Sequence, residues 1–403
     1  MVRSVRDRRI LYATALLRSL GTSLVGVLLG IYLARLKLDP AAVGLIVTAG
    51  LGGAAAAALA VTVLGDRLGR RRTLLALACV GALGTLAFVA TSQLAILGTA
   101  AIVGMLNGMG RDRGAALVLE QAILPSTTGD ERRTLGFAWY SMLQDVGHSL
   151  GALLAGAPAL LRAWFDVGEL TSYRLVLATN AVLLLASAIL YLQLSPAAEA
   201  PTASARLPSD PGTRRALYGL AALFGLDSLA GGFLTSALLA FFFFKRFGVE
   251  EGTVGLLFFG ARVANAGSHL AAAFLAKRIG LVNTMVFTHI PSSLLLATVA
   301  FAPSFPVAAA LFLLREGLVE MDVPTRQSYV MAVVRPDERT FASGLTNLVR
   351  LGGWAVAPGF AGLLMQGTSL AAPLLVGSAM KIAYDLLLFG AFRRRKPPEE
   401  QSP

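Results

Sequence analysis

This sequence has little charge and almost no cysteine. Charged side chains make up 14% of its 403 residues, against 56% hydrophobic. A water-soluble fold of this length needs more polar surface to coat itself, which excludes an ordinary globular protein. The single cysteine, Cys79, lies in an apolar run, so there is no disulfide framework and no cysteine metal site. The three histidines, His148, His269 and His289, are too scattered along the chain to point to a metal. There is no phosphate-cradling glycine loop followed by Lys-Ser/Thr, no His-Glu-x-x-His, and no supported Ser-His-Asp constellation. An ATP-driven pump and a membrane-embedded enzyme both lose their support, and no cofactor is expected. Acidic residues are scarce beside basic ones, giving a net charge of +12. The arginines sit in short blocks between apolar runs without an aromatic stacking platform, which argues against nucleic acid as a partner.

What the sequence does have is apolar runs of about 20 residues, the length a helix needs to cross about 30 Å of hydrocarbon. Twelve such spans are predicted, at 10–35, 41–64, 74–91, 94–124, 134–161, 172–193, 215–244, 253–275, 283–302, 306–334, 340–366 and 369–392. Glycine is abundant, with 42 residues, and pairs such as Gly104/Gly108 and Gly147/Gly151 suit helices packed closely in lipid. The basic N-terminus runs into a long apolar stretch with no small-residue cleavage site, which reads as a retained first helix. Basic blocks at Arg3–Arg9, Arg67–Arg72, Arg132–Arg133, Arg206–Arg215, Lys277–Arg278, Arg335–Arg339 and Arg393–Lys396 fall on one side. Arg35, Lys37, Arg162, Arg174, Lys245 and Arg246 fall on the other. By the positive-inside rule both termini are cytoplasmic and the membrane is an inner, plasma-type membrane. The stretch 195–214 is rich in Pro, Ala and Ser, lacks apolar periodicity and divides the spans six and six. The predicted organisation is therefore an N-terminal bundle over 1–194, a cytoplasmic linker over 195–214, a C-terminal bundle over 215–392 and a cytoplasmic tail over 393–403.

The two halves echo each other. Leu64-Gly-Asp-Arg-Leu-Gly-Arg-Arg-Arg-Thr73 is answered by Leu275-Ala-Lys-Arg-Ile-Gly-Leu-Val-Asn-Thr284, an offset of 211 residues. Val43-Gly-Leu45 and Val254-Gly-Leu256 share that offset, and Asp130-Glu-Arg132 resembles Asp337-Glu-Arg339. Each echo is short, but their order is preserved at equivalent boundaries.

The stretch Asp66-Arg-Leu-Gly69-Arg-Arg-Arg72-Thr resembles the signature loop of the major facilitator superfamily, and the resemblance covers nearly the whole chain. It implies an all-α membrane protein with twelve transmembrane helices in two pseudo-symmetric six-helix bundles. Gly69 permits a tight turn, and the resemblance implies a conformational latch formed by Asp66, Arg67, Gly69 and Arg70. Asp66 would face the N-terminal end of a helix beginning near Thr340-Phe-Ala-Ser343. The leading glycine of the loop is Thr62 here, and the second half has Lys277 at the position corresponding to Asp66. Two further family patterns are incomplete. Gly108-Met-Gly110 fits a fourth-span pattern whose Arg is Gly104 here. Gly147, Gly151 and Gly156 fit an exporter pattern whose Pro is Ala152.

Charges within the spans are costly in a bilayer and mostly face a cavity or a partner. The resemblance implies a central cavity lined by the first, fourth, seventh and tenth spans, where these charges concentrate. Arg18, Asp112, Arg113, Asp227, Arg315, Glu316 and Asp322 are the candidate residues for the substrate and proton pathway. Asp227 lies deep in its span with no charged neighbour on its own helix. At about 100° per residue, Arg113 shares a helical stripe with Glu120, and Arg315 with Asp322 and Arg326. Pro324 is positioned to kink the tenth span and free the carbonyl of Glu320. Glu120, Arg326, Arg350 and the Lys381/Asp385 pair read as helix fasteners, while Arg111, Asp145, His148, Arg262 and Glu320 fit either role. The expectation is a monomeric secondary active transporter that moves a small polar or charged solute, coupled to protons or another ion, and leans to efflux by antiport. The alternatives are a proton-symport permease for an organic anion and a transport-inactive membrane sensor or assembly protein of the same fold.

Overall fold

The computed structural model describes residues 2–127, 133–199, 210–321 and 339–392. Every regular element among them is helical. The chain divides into two compact units, the first comprising Met1–Thr202 with Thr235–Phe259, the second Ala203–Leu234 with Gly260–Pro403. The first unit holds α1 (Val2–Arg35), α2 (Pro40–Leu68), α3 (Arg70–Val89), α4 (Leu94–Gly104), α5 (Ala115–Ile123), α6 (Arg133–Leu154), α7 (Ala157–Phe165) and α8 (Glu169–Tyr191). The second begins with α9 (Pro211–Gly232); the next helix, α10 (Ser236–Phe247), belongs to the first unit. Then come α11 (Glu251–Ile279), shared between the units, α12 (Leu281–Val299), α13 (Phe305–Val319), α14 (Arg339–Gly367) and α15 (Ala372–Phe392).

Local chemistry sets where these helices begin. Asp39 accepts a hydrogen bond from the Ala42 N–H at 2.8 Å, with Pro40 in the first turn of α2. Asp210 and Pro211 open α9 in the same way, with the Thr213 N–H at 2.6 Å. The carboxylate satisfies a free first-turn donor, and proline's fixed φ suits a position that needs no N–H. The echoed loops also share a turn. Gly69 and Gly280 both have φ +87°, and the hydroxyls of Thr73 and Thr284 each donate to that glycine's carbonyl at 2.8 Å. Only glycine takes such a φ without strain, so the turn follows directly from the duplicated sequence.

Eight stretches of the described residues are long and apolar enough to cross a membrane, among them Val5–Arg35, Gly344–Gly367 and Ala372–Phe392. Leu83, Val182 and Phe287 stand exposed on these helices, as a lipid-facing surface requires. Packing between helices rests on small residues, because lipid offers apolar side chains no reason to leave it. α6 lies against α1 at Gly147 and Gly151, and a methyl group on Gly151 would run into the carbonyl oxygen of Leu20. In the second unit a methyl group on Gly353 of α14 would sit 2.8 Å from the amide nitrogen of Leu229 in α9. A core of Leu217, Phe224, Met285, Val286, Tyr384 and Leu388 joins α9, α12 and α15.

Three of the predicted continuous spans are interrupted. The fourth ends as α4 at Gly104, with Met105 left-handed at φ 50°, and resumes as α5 only at Ala115. The fifth breaks between α6 and α7, where Gly156 and Pro158 weaken the ladder. The seventh breaks after Gly231-Gly232, and Thr235 caps the restart by accepting from the Leu238 N–H at 3.3 Å. The stripe drawn from Arg113 to Glu120 is therefore corrected, because residues 105–114 are not helical. Asp322, Pro324 and Arg326 lie outside the described residues, and so does the stripe that ran through them.

Gly151→Ala is expected to lower stability by about 1–3 kcal/mol, since backbone must shift to admit the methyl. Gly98→Ala, with open space around the same atom, is expected to be neutral or stabilising by up to about 1 kcal/mol. Unfolding of the purified variants in detergent checks both; equal effects would refute the packing assigned to Gly151.

Candidate functional site

The first unit centres on Arg18. It projects from α1, 6% exposed, and its guanidinium reaches two carboxylates. Nη2 and Nε donate to Asp112 Oδ2 at 2.9 and 3.2 Å, and Nη1 donates to Glu120 Oε1. The same Arg18 donates to the hydroxyls of Tyr191 at 2.7 Å and Tyr140 at 3.3 Å. Glu120 is fully buried and accepts from Thr14 at 2.5 Å, Tyr191 at 2.5 Å and Tyr140 at 2.6 Å besides Arg18. Four donors, one of them charged, hold its side chain and so fasten α1, α5, α6 and α8.

Asp112 is held differently. It stands in the non-helical segment between α4 and α5, and its Oδ1 accepts no hydrogen bond among the described residues. The segment around it is fixed through its backbone. The Ala237 N–H, from the first turn of α10, donates to Gly108 O at 3.0 Å, and Ser236 Oγ donates to Met109 O at 2.8 Å. Asn107 donates from Nδ2 to Arg111 O at 2.7 Å and accepts at Oδ1 from the Met109 N–H at 2.9 Å. The Asp112 N–H donates to His148 Nε2 at 2.9 Å, so that nitrogen is the unprotonated one in this arrangement. A methyl group on Gly26 of α1 would collide with Gly110, so the break presses against α1 backbone to backbone. Arg111 and Arg113 lie in the same segment, half-buried.

The second unit holds two buried groups. In one, Lys381 Nζ of α15 lies 2.8 Å from Asp227 Oδ1 of α9 and 3.3 Å from His289 Nε2 of α12, while His289 Nδ1 lies 3.0 Å from each oxygen of Asp385. Lys381 and Asp385, read from their spacing as a pair along one helix, thus bond to different partners. Asp227, without a charged neighbour on its own helix, is matched by a lysine from another. In the other group Arg315 pairs with Glu316 on α13, and Glu316 Oε2 accepts from Asn265 Nδ2 of α11 at 2.9 Å. Arg350 donates to Ser228 at 3.2 Å and stacks over Trp354 at 4.6 Å. Asp322 falls outside the described residues, as do the side chains of Asp66, Arg67 and His269.

A sequence model of the Major Facilitator Superfamily matches residues 11–358 and 220–403. The chain belongs to the major facilitator superfamily. A curated relative, an uncharacterized membrane protein of Saccharomyces cerevisiae, is 24% identical over 417 residues, covering 95% of this chain and 93% of the relative. The nucleoside transporter NupG superposes with a TM-score of 0.72 at 16% identity, covering 98% of this chain and 100% of the other. A D-xylose-proton symporter superposes with a TM-score of 0.74 at 14% identity, covering 99% of each chain. These likenesses establish a shared fold, and the chain is a multi-pass membrane protein.

In this facilitator chain the signature loop has a partner that the sequence did not announce. Glu199, in the short 3-10 turn Pro196–Glu199, accepts from the Arg70 N–H at 2.6 Å and the Arg71 N–H at 3.0 Å. A carboxylate there satisfies first-turn donors of α3 and meets the positive end of its dipole. Arg71 reaches back to Leu192 O at 2.6 Å, and Asp7 of α1 accepts from the Ser195 N–H at 3.0 Å. The start of the linker is therefore seated on the first unit. The only signal in the sequence was an acid in a Pro/Ala stretch, able to meet the arginine-rich loop. Thr14, Tyr140, Tyr191 and His289 were also missed or passed over, because phenols and hydroxyls in apolar spans look like packing until their partners are known.

Arg18→Met leaves Glu120 buried without its counter-ion and is expected to destabilise the protein by about 3–5 kcal/mol. Tyr191→Phe removes two hydrogen bonds to charged groups, one from Arg18 and one to Glu120, and should lose at least about 1.5–3 kcal/mol. Denaturant titrations in detergent measure both, and an Arg18→Met protein as stable as wild type would refute the network.

Proposed function

We propose that this chain is a proton-coupled secondary active transporter that carries a small polar or charged solute across an inner membrane by alternating access, exporting it by antiport. It acts as a monomer of twelve spans arranged six and six about the linker, with both termini cytoplasmic. The observation that carries this reading is the unequal treatment of two carboxylates around one arginine. Arg18 cannot fully compensate both, and Glu120 receives the hydroxyl donors as well. Asp112 is left with Arg18 on one oxygen and an open second oxygen, so it is the member of the pair that takes up a proton.

Antiport follows from competition. A proton and a hydrogen-bond donor or cation on the solute both need the open Oδ1 of Asp112, so binding one expels the other. Arg113 in the same segment, and Asp227, Arg315, Glu316 and Asp322 in the second half, belong to the same pathway in this reading. Gly69, Arg70 and the Asp66–Arg67 loop serve as its latch. The close seating of Gly147 and Gly151 on α1 accompanies the exporter-like glycine pattern of the fifth span. A second reading is favoured by the Arg18–Asp112 fork itself. Protonating Asp112 releases two guanidinium donors, which an organic anion would then occupy, giving symport.

The test is reconstitution into liposomes containing a pH-sensitive dye, with a solute panel that includes nucleosides, pentoses, organic cations and organic anions. A solute that moves protons in the opposite direction supports antiport, and one that moves them in its own direction supports symport. Asp112→Asn is expected to reduce pH-gradient-driven accumulation about tenfold or more, the scale of a typical coupling between sites. A panel that moves no protons, or an Asp112→Asn protein coupled as tightly as wild type, would overturn the proposal.

A further inference from the structure

Two arginines at the end of α8 have no place in the transport pathway. Arg6 of α1 donates from Nη2 to Gln193 Oε1 at 3.2 Å, and Arg71 of α3 donates from Nη2 to Leu192 O at 2.6 Å. Guanidiniums from two different helices thus reach consecutive residues. Neither makes an ion pair among the described residues. The acids nearest them are engaged elsewhere. Asp7 is buried and accepts from the Ser195 N–H and hydroxyl. Glu199 gives one oxygen to the Arg70 N–H and the other to the Arg71 N–H, so it answers the backbone of α3. Arg6 is exposed and Arg71 half-buried, with Arg9 and Arg72 exposed on the same ends of α1 and α3. Each guanidinium has five N–H donors and gives one to the end of α8.

Away from this basic end the surface of α8 is apolar. Val182, Leu185, Ile189 and Leu192 are 64%, 43%, 61% and 50% exposed. They recur every three or four residues, which sets them in one stripe along the helix. Ten residues separate Val182 from Leu192, a rise of about 15 Å. That is one leaflet's share of about 30 Å of hydrocarbon. The stripe ends at Leu192, whose carbonyl holds Arg71.

We propose that the end of α8 binds one anionic phospholipid, its headgroup phosphate on Arg6 and Arg71 and an acyl chain along the α8 stripe. The stripe alone would suit any lipid. Charge selects an anionic one, because a phosphate offers acceptor oxygens to both guanidinium forks at once. A zwitterionic headgroup brings its own ammonium to the same place and meets repulsion from the arginines. Length selects a lipid over a soluble phosphate, since a chain that fills the stripe delivers its headgroup to Leu192. Bound there, the lipid ties the ends of α1 and α3 to α8, beside the start of the linker. The site stands whether or not the chain carries a solute.

Full-length protein in detergent, titrated with phosphatidylglycerol or phosphatidylcholine and weighed intact by native mass spectrometry, tests the proposal. Wild type is expected to take up one phosphatidylglycerol at lower concentration than any further lipid, and more tightly than phosphatidylcholine. Arg6→Gln and Arg71→Gln should each weaken that first adduct about fivefold, and the double variant about thirtyfold. Arg6→Lys and Arg71→Lys keep the charge and should lose less than the glutamine variants. Lys245→Gln removes an exposed charge in the last turn of α10 and should leave the adduct unchanged. If the double variant does not fold, the two single variants decide. A first adduct equally strong with phosphatidylcholine, or one weakened as much by Lys245→Gln as by Arg71→Gln, would overturn the proposal. So would displacement of the lipid by glycerol phosphate at equal concentration, which would make this a site for soluble anions.

Discussion

Breaking a helix inside a bilayer strands N–H and C=O groups in a medium that cannot hydrogen-bond them, and each must be answered from within the protein. The segment between Gly104 and Ala115 meets this constraint group by group. Gly108 O is answered by an amide at the start of α10, Met109 O by a serine, Arg111 O by an asparagine and the Asp112 N–H by a histidine. The break then does something a continuous helix could not. It carries Asp112 to the guanidinium of Arg18, alongside a Glu120 that hydroxyls have already saturated. The asymmetry between the two carboxylates follows from that placement, and the proposed proton chemistry follows from the asymmetry.

The second unit handles charge by a different route. Among the described residues, its buried ionisable groups sit within helices, and their side chains answer one another directly. Asp227, Lys381, His289 and Asp385 are linked in sequence, whereas Arg18 sits at the hub of a cluster. A hub fixes geometry, because every partner constrains the same guanidinium. A chain passes a change along, because its middle members each have two partners between which to choose. Duplicated halves have thus kept their turns, as Gly69 and Gly280 show, while diverging in their ionic interiors.

Much of the fold was legible in the sequence because the bilayer imposes simple rules of length and polarity. Apolar runs marked the helices, and glycines at matching offsets marked equivalent turns. The interruptions were less legible. Gly104, Gly108, Gly110 and Gly114 are all visible in the sequence, yet glycine also serves close helix packing in lipid, and composition alone does not separate the two uses. Treating the fourth span as one helix put Arg113 and Glu120 on a shared stripe that the backbone does not form. Lys381 and Asp385 show a related ambiguity. A spacing of four allows a pair along one helix, but each side chain found a better partner on another helix. Glu199 was hard to place for the opposite reason, since its partners are backbone amides, which leave no mark in a residue pattern.

The central claim is that Asp112, and not its neighbour Glu120, exchanges a proton at the Arg18 cluster. Infrared difference spectra of the protein recorded across a pH series resolve the C=O stretch of protonated carboxyl groups. A pH-dependent band that disappears in Asp112→Asn and persists in Glu120→Gln is the predicted result. A spectrum unchanged by Asp112→Asn, or a band lost only in Glu120→Gln, would contradict the account.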